Sequence, residues 1–85
     1  MANYKVEFKK SALKDFTDIP KSDVTKIIER IDSLRLDPRP PTAIKLSGRE
    51  EYRVRQGNYR ILYEIRDSIL VVLVIKVGHR REVYK

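Results

Sequence analysis

Between residues 52 and 65 the sequence reads YRVRQ, GN, YRILYEI. Two runs that alternate apolar and polar residues, joined by a Gly-Asn pair, form a strong local signal for a β-hairpin with a two-residue turn. Such a turn also sets the register. With Gly57 and Asn58 as the loop, Gln56 faces Tyr59, Arg55 faces Arg60, Val54 faces Ile61, Arg53 faces Leu62 and Tyr52 faces Tyr63. Side chains alternate along a strand, so Tyr52, Val54, Ile61, Tyr63 and Ile65 share one apolar face, and Arg53, Arg55 and Arg60 share the other.

The rest of the chain supplies a cover for the apolar face. Residues Asn3 to Phe8 alternate, with Tyr4, Val6 and Phe8 on one side, and read as a first strand. From Ser11, a candidate N-cap, the period becomes helical through Ala12, Leu13, Phe16 and Ile19, and stops before Pro20. A second, longer helix places Val24, Ile27, Ile28, Ile31 and Leu34 on one side and ends before DPRPP. The proline-containing segment Asp37 to Glu51 reads as a connection. After the turn Arg66-Asp67-Ser68, ILVVLVIKV is apolar on both faces, which suits a central strand, and EVYK can add a last short strand after Gly78. The order is strand, helix, helix, then three or four strands. It predicts an α+β fold: an antiparallel sheet of four to five strands with an N-terminal helical hairpin packed on one face, as a single domain over residues 1–85.

At 85 residues the core is thin, because a chain of this size buries roughly 60 to 65% of the surface exposed when unfolded. The chain has no cysteine, which removes disulfide frameworks and thiolate chemistry, and its single histidine leaves little for a metal site, so neither metal nor cofactor is expected. MANYKVEF lacks the apolar centre of a signal peptide, and ILVVLVI is far shorter than a bilayer span, so a cytoplasmic location is expected.

The formal net charge is +7, from 19 Lys and Arg against 12 Asp and Glu, which favours a polyanionic partner. The hairpin register concentrates that charge. Like charges directly opposite across a ladder destabilise by up to about 1 kcal/mol, and folding alone has no use for them. A solvated sheet face could carry arginine stems over apolar area. Arginine at all three positions, whose planar fork suits bidentate phosphate contacts, points instead to a phosphate platform.

The segment from Tyr52 to Lys85, with Leu46, Ser47 and Gly48 before it, closely resembles the RelE family within the RelE/ParE superfamily of bacterial and archaeal toxins. The most specific parts are the YRxRxGxYRxxYEI hairpin and the terminal VGHRREVY. The resemblance implies a RelE-like α+β fold and a toxin of a type II toxin-antitoxin system. It also implies a ribosome-dependent, metal-independent endoribonuclease (an mRNA interferase) that cuts messenger RNA in the A site and is inhibited by an antitoxin in a hetero-oligomer. It implies basic site residues at Arg53, Arg55 and Arg60, another at Arg80 or Arg81, and a C-terminal tyrosine at Tyr84. Lys45 and Arg49 are further candidate RNA contacts. Founding members have lysines before the turn where this chain has arginines, which are poor proton acceptors.

Attack of a 2′-hydroxyl on the adjacent phosphate requires removal of a proton, stabilisation of charge on the phosphorane-like transition state, and protonation of the 5′-oxygen. The arginines suit the second task. For proton transfer the sequence offers His79 and Tyr84, with Glu64 a weaker third candidate. Two other readings remain: a ParE-like toxin that inhibits DNA gyrase without cutting RNA, and a catalytically dead relic that binds RNA or antitoxin.

Overall fold

The computed structural model describes residues 3–46 and 50–79. Its elements are β1 (Lys5–Phe8), α1 (Lys10–Asp15), a 3-10 turn (Phe16–Asp18), α2 (Lys21–Ser33), β2 (Ile44–Lys45), β3 (Glu51–Gln56), β4 (Tyr59–Arg66), a second 3-10 turn (Asp67–Ile69) and β5 (Val71–His79). The strands form one sheet in the order β1-β5-β4-β3-β2. The hairpin register agrees with the expectation at every pair, from Gln56 opposite Tyr59 to Tyr52 opposite Tyr63. Gly57 takes φ +60° and Asn58 does not enter the left-handed region, a turn in which only the first loop residue needs a positive φ.

Two expectations about the architecture are corrected. The sheet is mixed rather than antiparallel, because β1 pairs with β5 in parallel, Lys5 opposite Val71 and Phe8 opposite Val74. Connectivity is the reason. From β1 the chain crosses through the helices to β2 at the far edge, and three reversals return β5 to the side of β1 running the same way; a parallel pair needs such a long crossover. The helices also do not pack chiefly on each other as a hairpin. α1 lies against β5 and α2 against β3.

Smaller departures have local causes. The fifth strand is β2, two residues inside the segment expected to be a connection, where Ile44 pairs with Arg53 and Lys45 with Tyr52. β5 starts at Val71 rather than Ile69, because the second 3-10 turn takes up Asp67 to Ile69 and Leu70 closes it at φ +53°. The last strand expected at EVYK lies outside the described residues. Helix α1 begins at Lys10, and Ser11 is not its cap: its hydroxyl donates instead to the carbonyl of Ile75 at 3.3 Å, docking α1 on β5.

The core forms where the sheet's inner face meets the helices. Val54, Ile61, Tyr63, Val72, Val74 and Val77 pack with Ala12, Ile27, Ile31 and Leu34, all of them buried. The spacing of four and three residues from Ile27 to Ile31 to Leu34 puts all three on one side of α2. Ile28, next to this stripe, is largely exposed.

A polar clamp fixes the connection after α2. The Arg39 guanidinium donates to both carboxylate oxygens of Asp67 at 3.3 and 2.8 Å, and its Nε donates to the Tyr52 hydroxyl at 3.0 Å. Tyr4 donates to Asp67 at 2.6 Å, and the buried Tyr63 hydroxyl donates to the Pro38 carbonyl at 2.8 Å. β1, the connection, β3 and the turn before β5 are thereby tied together. Hydrogen bonds from Arg39, then from Tyr4, hold the Asp67 carboxyl at about 2, below the usual carboxylate range, while the Asp67 bond and burial raise the Tyr4 hydroxyl.

Because the folded-state pKa of Asp67 is depressed, its stabilising contribution is complete above pH 4 and is lost as pH falls towards 2. The Asp67→Asn variant is expected to have a lower thermal midpoint at pH 7, with the difference from wild type narrowing between pH 4 and 2; an unchanged difference would contradict the assignment. Asp15 Oδ2 accepts the Val77 amide at 2.9 Å, so Asp15→Ala is expected to cost about 1 to 3 kcal/mol in urea unfolding and to speed hydrogen exchange at Val77.

Candidate nucleic-acid interface

Directly paired residues in a sheet project to the same side, so the register assigns each side chain to the helix-covered or the open face. On the open face the hairpin end carries a row of Arg55, Arg60 and Gly78. The next row holds Ile44, Arg53, Leu62 and Lys76. Then come Glu51, Glu64, Leu73 and Glu7, and last Arg66, Val71 and Lys5. Cations therefore occupy the two rows nearest the Gly57-Asn58 turn, and a band of three carboxylates crosses the sheet beside them.

Lys76 joins the basic rows through a β-bulge. Leu62 faces Lys76 but Tyr63 faces Val74, leaving Ile75 as the extra residue. Without it, Lys76 would follow Val72 and Val74 into the core. With it, Val77 takes the core position and Lys76 emerges beside Leu62 and Arg53. Lys76 was not among the residues expected from sequence; the available signal was the step of three from Val74 to Val77 in an otherwise two-residue period.

The structure brings Arg53, Arg55 and Arg60 together as expected. Arg60, between Arg55 and Gly78, is only 9% exposed, whereas Arg55 is open to solvent. A guanidinium so enclosed has little rotamer freedom. His79 is placed differently. It is opposite Tyr59 and projects to the helix side, with the two rings edge to face at 5.9 Å. There it lines a cleft of about 350 Å³ with Lys14, Asp15 and Asp18.

Glu64 is on the open face but accepts from Arg66 Nε at 2.8 Å and lies two rows from Arg60. Lys45, opposite Tyr52, projects to the helix side with its amine 3.9 Å from Glu50. Arg49, Arg80, Arg81 and Tyr84 lie outside the described residues. Among the described residues no three His, Cys, Asp or Glu side chains are grouped to hold a metal ion, and no helix is long and apolar enough to cross a membrane.

Comparison with known proteins gives the class. Residues 6–84 match the family described as ParE toxin of type II toxin-antitoxin system, parDE. The chain is 34% identical over 86 residues to a Methanocaldococcus jannaschii protein provisionally named toxin RelE1, with 96% of each chain covered. It superimposes with a TM-score of 0.80 and 26% identity on a chain of the toxin-antitoxin complex RelBE2 from Mycobacterium tuberculosis, covering 93% of this chain and 100% of that one. Against a mutant of Escherichia coli toxin RelE in the free state, the TM-score is 0.81 at 25% identity, covering 99% and 90%. The chain belongs to the RelE/ParE superfamily of toxins from type II toxin-antitoxin systems.

Arg55 and Arg60 are a directly opposed like-charge pair. In Arg55→Glu an ion pair replaces a like-charge pair, so urea unfolding is expected to show a gain of a few tenths to about 1 kcal/mol. The same variant should bind single-stranded RNA more weakly, as read by fluorescence anisotropy. Loss of both stability and binding would mean that Arg55 serves the fold.

Proposed function

We propose that this toxin is a ribosome-dependent endoribonuclease that cuts messenger RNA in the A site and so arrests translation. The observation that carries the proposal is the open-face grouping of Arg53, Arg55, Arg60 and Lys76, four cations in two adjacent rows. In the reaction the 2′-oxygen forms a bond to phosphorus as the bond to the 5′-oxygen breaks, leaving a 2′,3′-cyclic phosphate and a 5′-hydroxyl. Arg60, flanked by Arg55, stabilises the charge that builds on the non-bridging oxygens. Arg53 and Lys76 hold the neighbouring backbone.

Proton transfer falls to a group other than these arginines, which stay charged. The projection of His79 to the helix side, opposite Tyr59, supports giving that role to Tyr84. Arg80 or Arg81 adds a further cation. A toxin that acts on ribosomes would belong in the cytoplasm. The partner is an antitoxin whose acidic and apolar segment covers the basic rows, in keeping with the toxin-antitoxin complex among the structural relatives.

A second reading has its own support, because the matched family is described by the ParE toxin. A ParE-like toxin would inhibit DNA gyrase and leave RNA intact. The clustered arginines favour the nuclease, since gyrase inhibition makes no demand for a phosphate platform on the sheet.

Purified toxin added to translating ribosomes is expected to produce A-site cuts ending in a cyclic phosphate. Arg60→Ala, checked for an unchanged circular dichroism spectrum, is expected to slow cutting by about 10² to 10³-fold. Intact message together with inhibited supercoiling by gyrase would replace the first reading with the second.

A further inference from the structure

Arg30 belongs to α2, on the other side of the sheet from the basic rows, yet it reaches the same edge. Its Nε donates to the Arg55 carbonyl at 3.3 Å. The pairing of β2 with β3 covers only Tyr52 and Arg53, and the β3 edge at Arg55 is left to α2. Arg30, Thr42, Ile44, Arg53 and Arg55 line a cleft of about 350 Å³ at this corner. Its described lining holds three guanidinium groups, a hydroxyl and an exposed aliphatic side chain, and no carboxylate.

We propose that this cleft is a second phosphate-binding site for single-stranded RNA, with Arg30 as a contact residue from the helical layer. The inference rests on the nuclease reading and extends it. Arg53 and Arg55 belong both to the open face and to the cleft, so a backbone held at Arg60 runs over the β3 edge into it. The Arg55 carbonyl uses one of the five guanidinium donors of Arg30 and orients the rest. Thr42 can donate to a phosphate oxygen, and Ile44, 51% exposed, offers an apolar surface to a ribose. This mixture of fork donors and a small apolar wall fits a sugar-phosphate chain better than a run of acidic side chains, which would leave Ile44 uncovered.

The probe is a fluorescent 2′-O-methyl uridine octamer, which cannot be cut, titrated with the full chain at several salt concentrations. In Arg30→Ala the slope of log K against log salt is expected to become shallower by about 0.7, the value for one lost phosphate contact on a single strand. Affinity should fall about tenfold. Arg30→Lys should keep the slope. An unchanged slope in Arg30→Ala with a lowered thermal midpoint would make Arg30 a structural residue and overturn the inference. Unchanged RNA binding with weakened binding of an acidic antitoxin peptide would overturn it in favour of a protein site. Cutting and octamer binding by the wild type with no effect of Arg30→Ala would defeat this inference alone, whereas absence of both in the wild type would remove the nuclease reading as well.

Discussion

Two side chains of α1 hold the bulge in β5. Ser11 and Asp15, four residues apart and so on one side of the helix, bond the Ile75 carbonyl and the Val77 amide, the backbone groups on either side of Lys76. A bulge disrupts its ladder locally, and backbone groups lost to the ladder must find other partners when shielded from water. Here the helix that covers the strand provides them. The phase shift follows from that docking: Val77 completes the core and Lys76 faces out. The side on which His79 projects is settled by the same residue.

Much of this arrangement was legible in the sequence, because the hairpin is local and its register follows from loop length alone. Arg53, Arg55 and Arg60 could be placed on one face from positions 52 to 65 without knowing the rest of the fold. What escaped depends on distant contacts. The parallel pairing of β1 with β5 joins residues more than sixty positions apart and leaves no periodic trace in either strand. The two-residue β2 is too short for a pattern. Arg30 reads as one polar residue among several on α2, and only the geometry brings it to Arg55. The bulge left a faint mark in the spacing of valines, obscured because β5 is apolar on both faces.

The two ends of the sheet have different tasks. At the Gly57-Asn58 end, like charges stand opposite each other and are tolerated. At the other end, Arg39, Asp67, Tyr4, Tyr52 and Tyr63 form a network in which the charged groups and hydroxyls are matched, with Tyr52 and Tyr63 stacked at 5.8 Å and the Arg39 guanidinium 5.5 Å from the Tyr52 ring. β4 spans both, from Arg60 to the turn that carries Asp67, roughly 20 Å at the usual strand rise. The acidic band of Glu51, Glu64 and Glu7 lies between the two ends.

The parallel pairing of β1 with β5 also orders events during folding. Among the described residues β1 has β5 as its only sheet neighbour, more than sixty positions later in the chain. Val6 and Phe8 cannot enter the sheet before Val72 and Val74 are in place, and Tyr4 waits for Asp67. Contacts of such sequence separation form late, after their loop-closure cost has been met. The edge that β1 adds is therefore the last part of the described sheet to close, whereas the hairpin carrying Arg53, Arg55 and Arg60 takes its register locally.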